Sequence, residues 1–263
     1  MTLLTKKPLL IRLSTYLFNN EAKRTESRNF QTATCVLRHV NPTNVKNKSL
    51  SSQLWLKRQL SDPYVEKAKM HNYRCRSAFK LLEINEKYKF LKPGQIVVDC
   101  GAAPGSWTQV AVKEVNSIGQ SSSDQLGKVF SIDKQHIYPI EGATILGNMD
   151  FTNPSTQTLL RTTLGDRQVQ VVLSDMAPTA TGIREMDTEN MLTLCYNVIR
   201  FAVQVSEING SLLVKLWQCG QAKKLETEIS RFYRNVKFVK PNSSRHDSAE
   251  IFILGRYFKG LEK

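Results

Sequence analysis

From residue 95 onward, short runs dense in Val, Ile and Leu alternate with longer stretches whose apolar positions recur every three to four residues. The short runs predict strands at residues 95–99, 128–133, 144–146, 169–174, 212–216, 236–239 and 251–254. The 3.6-residue spacing predicts helices at 63–70, 77–88, 106–115, 154–164, 185–205 and 221–234. In the long 185–205 segment Met191, Leu194, Val198, Phe201 and Val205 share one face and are expected in the core. Strands that alternate with helices in this way predict an α/β fold with a mainly parallel sheet. The polar run 117–127 reads as a surface loop, and no internal repeat is present.

Composition and charge add to this picture. The chain has 263 residues and 41% hydrophobic positions, an ordinary globular balance for one large domain plus a tail. Its 37 Lys and Arg against 23 Asp and Glu leave a net charge of +14. Residues 1–48 hold nine of the basic groups and only Glu21 and Glu26 of the acidic ones, so half of the surplus lies in this segment. With its Ser, Thr and Asn content and interspersed apolar residues, that segment has the composition of a mitochondrial transit region, expected to be disordered, with 49–263 as a single domain. An untargeted tail or an RNA-binding arm has a similar composition. A secretory signal is disfavoured, because Arg12 interrupts the apolar stretch 9–18 and no small-residue cleavage site follows. No run reaches the roughly 18 apolar residues of a membrane span. The five cysteines (35, 75, 100, 195 and 219) contain no C-x-x-C, so neither a disulfide framework nor a metal site is expected. The remaining surplus over 49–263, 28 basic against 21 acidic groups, favours a polyanionic partner such as RNA.

Chemistry concentrates in IVVDCGAAPGSWTQV. An apolar strand ends at Asp99, and a loop of small residues then opens a helix, which lets a ligand approach the backbone closely. The loop is not G-x-G-x-x-G, and Pro104 removes a backbone donor where a pyrophosphate would need one. That disfavours a dinucleotide and favours a nucleoside without phosphates. Further carboxylates follow at later strand ends: Asp133 in SID, where it can accept ribose hydroxyls, Asp150 in GNMDF and Asp175 in LSDMAP. One such Asp is usually a turn residue, whereas four beside a glycine loop describe a site. S-adenosylmethionine suits them, since its ribose and adenine need acceptors and its sulfonium tolerates carboxylates.

With these residues identified, the chain resembles the FtsJ/RrmJ family of ribose 2′-O-methyltransferases. The ordered elements RSAFKLLEI, VVDCGAAPGSW, SID, GNMDF, LSDMAP, LLVKLW and KPNSSRHDSAEIF carry the likeness. It implies a Rossmann-like class I methyltransferase with a mostly parallel seven-stranded sheet, and a catalytic tetrad on Lys80, Asp175, Lys215 and Glu250. Cofactor contacts are implied at Pro104, Gly105, Ser106, Trp107, Asp133, Asp150 and Asp175. The segment 51–69 resembles the leader of members acting on large-subunit ribosomal RNA. That implies methylation of a uridine in mitochondrial large-subunit rRNA, in the matrix, on naked RNA or within a preribosomal particle. An assembly factor with dispensable catalysis, or a tRNA-directed member, is the competing implication. Ser106, Ala78, Phe252 and Trp217 depart from common family residues, and none of them is a tetrad group.

Methyl transfer to a ribose hydroxyl is an in-line displacement, so positioning should supply much of the rate. The resemblance makes Lys215 the base. Free lysine has a pKa of about 10.4. Lys80 and desolvation would favour a neutral amine and the two carboxylates an ammonium, so the sequence leaves open whether Lys215 takes the proton or orients the hydroxyl. Arg74, Arg76, Lys240 and Arg245 flank the tetrad positions and are expected to contact RNA phosphates. His71 and His246 are expected at the surface or in packing.

Overall fold

The computed structural model describes residues 49–121 and 125–261; the basic segment 1–48 lies outside the described residues. Seven strands form one sheet: β1 (Ile96–Cys100), β2 (Lys128–Ile132), β3 (Ala143–Leu146), β4 (Val169–Ser174), β5 (Ser206–Trp217), β6 (Tyr233–Val239) and β7 (Glu250–Phe258). Their spatial order is β3-β2-β1-β4-β5-β7-β6. The first five pair in parallel, and β7 runs antiparallel between β5 and β6, so six strands share one direction. This is the mostly parallel, Rossmann-like sheet that the sequence pattern and the family resemblance led us to expect.

Among the described residues seven helices accompany it: α1 (Leu50–Leu60), α2 (Pro63–Met70), α3 (Ala78–Tyr88), α4 (Ser106–Glu114), α5 (Pro154–Leu164), α6 (Arg184–Val205) and α7 (Ala222–Phe232). Local chemistry sets several ends. Asp62 accepts the Tyr64 amide at 3.0 Å and Asn153 that of Ser155 at 3.0 Å, each followed by a proline whose missing donor costs nothing at a first helical position. In α7 Ala222, Leu225 and Ile229 form the buried stripe.

Side chains alternate across the strands and create two cores. Val97, Leu173 and Leu213 face α3 and α4, where they pack with Leu81, Ile84 and Val110. Val98, Val172, Leu212 and Val214 face α5, α6 and α7, where they meet Leu160, Met191, Val198 and Ile229. Burial on both faces explains why these strands read as continuous apolar runs rather than alternating ones.

The differences from the sequence pattern have physical causes. Helix α1 has no clear apolar period, leaving Leu50 and Leu54 exposed, so periodicity does not reveal it. Residues 233–234 belong to β6, not α7, because Tyr233 pairs with Phe258. Strand β5 starts at Ser206: its register against β4 jumps from Val169↔Ser206 to Val171↔Ser211, and the intervening Asn209 has a φ of 69°. No sequence period survives such an interruption.

Candidate active site

The order of the sheet reverses between β1 and β4. Strand β1 leads outward to β2 and β3, whereas β4 continues the other way, so the loops beyond their carboxyl ends diverge and leave a crevice. A cleft of about 410 Å³ occupies it, within the range of small-molecule sites. Gly101 and Ala103 line it after β1, Asp133 to Gln135 after β2, Asp150 to Thr152 after β3, and Asp175 to Pro178 after β4.

The backbone forms one end of the cleft. Asp133 accepts the Ala103 amide on Oδ2 at 2.9 Å and the Gln135 amide on Oδ1 at 2.7 Å, so one carboxylate ties together the loops after β1 and β2. Asp150 Oδ1 accepts both the amide and the hydroxyl of Thr152, at 2.8 and 2.7 Å, and these bonds, the hydroxyl first, hold its carboxyl below the usual range. Gly101 has a φ of +77°, and a Cβ there would lie 2.1 Å from Met176 Cγ, so glycine alone fits the turn.

The tetrad positions cluster around Asp175, the one of the four that lines the cleft. Asp175 follows β4, Lys215 lies on β5, Glu250 begins β7 and Lys80 is in the first turn of α3. Four separate elements thus bring together the four residues that the resemblance singled out. Lys80 Nζ donates to Glu250 Oε2 at 2.7 Å and lies 3.7 Å from Asp175 Oδ1. Lys215 Nζ donates to the Asp175 carbonyl and approaches Oδ1 of the same residue to 3.0 Å without hydrogen-bond alignment. Lys215 and Glu250 are buried, and the two cations and two anions balance. Ser244, which the sequence reading did not single out, donates to Glu250 Oε1 at 2.8 Å.

Asp99 lies beneath both ends and does not line the cleft. It is fully buried, with Thr108 donating to Oδ2 at 2.8 Å and Oδ1 without a hydrogen-bond partner. Burial first, with the nearby charges of Asp175 and Asp133 adding, raises its carboxyl to about 7, and the Thr108 bond opposes this.

Other expected contacts are placed differently. Pro104, Gly105, Ser106 and Trp107 do not line the cleft. Helix α4 begins at Ser106 and turns the last two inward: Ser106 meets Ser77 at 2.7 Å, and the Trp107 indole donates to the Ser77 carbonyl at 2.8 Å and packs on Phe252. Leu194, expected in the core, lines the cleft together with Asn190 and Thr193, one helical turn on the exposed side of α6. Nothing in the sequence distinguishes them from other surface or core residues of a long helix. The four expected RNA contacts bond within the chain. Arg74 donates to three backbone carbonyls, Arg76 and Arg245 share Asp62, and Lys240 donates to the Ser248 carbonyl at 2.8 Å.

A family model described as FtsJ-like methyltransferase matches residues 73–258, most of the chain and all seven strands. The chain belongs to the FtsJ-like methyltransferase family. A Drosophila melanogaster protein named rRNA methyltransferase 2, mitochondrial, is 57% identical over 83% of this chain and 88% of its own length. A ribosomal RNA large subunit methyltransferase E of Ruegeria pomeroyi is 41% identical over 82% of this chain and 91% of its own. A Plasmodium falciparum crystal structure described as a ribosomal RNA methyltransferase superposes with a TM-score of 0.63 at 28% identity, covering 72% of this chain and the whole of that one. In this FtsJ-like methyltransferase the cleft lining carries Asp133, Asp150 and Asp175 against Lys134, with Lys215 and Lys80 beside Asp175.

Proposed function

We propose that the protein transfers a methyl group from S-adenosylmethionine to a ribose 2′-hydroxyl of a uridine in mitochondrial large-subunit rRNA. The observation that carries this reading is the pairing of Lys80 with Glu250 and of Lys215 with Asp175, the last of which lines a nucleoside-sized cleft. Asp133 and Asp150 would accept from the ribose and adenine of the donor, with Gly101 and Ala103 giving it room against the backbone. When bound, S-adenosylmethionine would supply an electrophilic methyl on a sulfonium.

The chain's own residues then have separate tasks. Lys215 donates to the Asp175 carbonyl and lies beside its carboxylate, which fixes the amine against a residue of the cleft wall. There it orients the incoming hydroxyl and balances the negative charge that grows on the oxygen, whose proton passes to solvent water as the oxygen accepts the methyl group. Asp175 holds Lys215. Glu250, itself held by Ser244, keeps Lys80 beside Asp175, so the second cation adds to the same field. The pocket's burial strengthens each of these interactions relative to water. Recognition of a 2′-hydroxyl selects RNA over DNA.

The homology to a mitochondrial protein and the basic segment 1–48 support import into the matrix, where 49–263 would act as a single methyltransferase domain on a preribosomal particle. The test is a map of ribose methylation in mitochondrial large-subunit rRNA from cells with and without the protein, and with a Lys215→Ala replacement. One uridine methylated only with the wild-type chain is the expected result. An unchanged map overturns the reading, and a map restored by Lys215→Ala removes Lys215 from the mechanism.

A further inference from the structure

We infer that Arg74 is a positioning residue that sets the width of the cofactor cleft, rather than a contact to RNA phosphate. Its Nη1 donates to the Pro104 carbonyl at 2.7 Å and the Tyr138 carbonyl at 2.9 Å, and its Nη2 to the Pro139 carbonyl at 2.8 Å. Pro104 belongs to the loop after β1, and Tyr138 and Pro139 to the connection between β2 and β3. Those are the same two segments that Asp133 joins through the amides of Ala103 and Gln135. The anion gathers N–H groups from both walls on the inside of the cleft, and the cation gathers C=O groups from both walls behind it. A planar guanidinium can span three carbonyls in this way, whereas a lysine ammonium presents all its donors from one point.

Two neighbours are fitted to the arrangement. A Cβ at Gly105 would lie 2.8 Å from Arg74 Nη1, so the glycine leaves the guanidinium its space. Gln109 on α4 anchors the turn that carries the arginine: its Oε1 accepts the Arg74 amide at 2.9 Å, and its Nε2 donates to the Asn72 carbonyl at 2.9 Å. Three of its five N–H donors are so engaged, and together they tie the guanidinium to both walls.

The inference rests on reading the cleft as the S-adenosylmethionine site, and the experiment separates the two. Full-length wild-type, Arg74→Ala, Arg74→Lys and Gln109→Ala proteins are titrated calorimetrically with S-adenosylmethionine. Their affinity for a large-subunit rRNA transcript is measured across a salt series, and kcat and KM are taken for the donor. If the wild type fails to bind the donor, the functional reading falls. If it binds, Arg74→Ala is expected to weaken donor binding about tenfold, the equivalent of one well-placed charged hydrogen bond. Arg74→Lys should be nearly as weak despite its retained charge, and Gln109→Ala should shift in the same direction by less. The donor KM should rise with kcat at saturation kept, and the salt dependence of RNA binding should match the wild type. Unchanged donor affinity in the Arg74 variants overturns the inference. So does an RNA affinity that falls with a salt slope shallower by about one, the signature of a lost phosphate contact. Should Arg74→Ala not fold, Arg74→Lys and Gln109→Ala decide the matter by the same criteria.

Discussion

At the Asp133 end of the cleft, a buried carboxylate bonds to the backbone amides of two loops; at the Lys215 end, buried Lys215 and Glu250 and half-buried Lys80 and Asp175 pair largely with one another. The first end is a scaffold of main chain that side chains trim, and the second exists only through the charges of its side chains. A substitution at the first should alter how tightly a ligand is held. A substitution at the second should change whether the chemistry occurs, because removing one partner leaves a buried charge uncompensated.

The sharpest way to break this contrast is Lys215→Ala. It should lower single-turnover methyl transfer on the order of 10³-fold, as for loss of a principal charge-stabilising group, while leaving donor affinity within a few-fold by calorimetry. A comparable loss in donor affinity would show that the two ends are one unit.

Asp99 lies under both ends and tests whether the scaffold has an electrostatic cost. Its folded value of about 7 lies above the ordinary 3.8, so the native state holds the proton more tightly than the unfolded one. The stability linked to that proton is complete below about pH 4 and is lost as pH rises through 7. Asp99→Asn keeps the shape and removes the titration. Thermal and urea unfolding should show it gaining on the wild type between pH 4 and 8, by a few kcal/mol at most. A constant difference across that range would place the buried proton elsewhere.

Glu250→Gln sharpens the contrast within the charged end. The amide can still meet Ser244, but Lys80 loses its closest counter-charge. A roughly 10- to 100-fold fall in kcat with little change in donor KM is expected from steady-state kinetics. The smallest effects belong to the Asp133 end. Asp133→Asn offers one acceptor oxygen where two amides are now satisfied and should raise the donor KM about tenfold, whereas the more exposed Asp150→Asn should raise it only a few-fold.

Much of this was legible before any coordinates. The apolar runs at 96–100, 169–174 and 212–216 read as strands because both of their faces are buried, and Asp133, Asp150 and Asp175 stood out because each directly follows a strand or its loop. What could not be read was direction and facing. Strand β7 is as apolar as its parallel neighbours, and only its pairing with Trp217 through Ser211 shows that it runs the other way. Trp107 and Leu194 exchanged expectations: the indole next to the glycine loop is buried in packing, and the leucine on a core-like period faces the cleft. Arg74, Arg76 and Arg245 carry the same charge in the sequence as any exposed arginine, and only the structure shows the bonds that each makes within the chain.

The sequence by itself determined the class of the fold, the glycine loop, the carboxylates at strand ends and the four charged residues that the family resemblance picks out, because these depend on local period, turn chemistry and residue type. The tertiary structure decided which charges meet. Lys80 and Glu250 lie 170 positions apart yet share a hydrogen bond of 2.7 Å. A contact of that kind is fixed by the order of strands in the sheet and by the packing of α3 against it, neither of which is written in any one stretch of the chain.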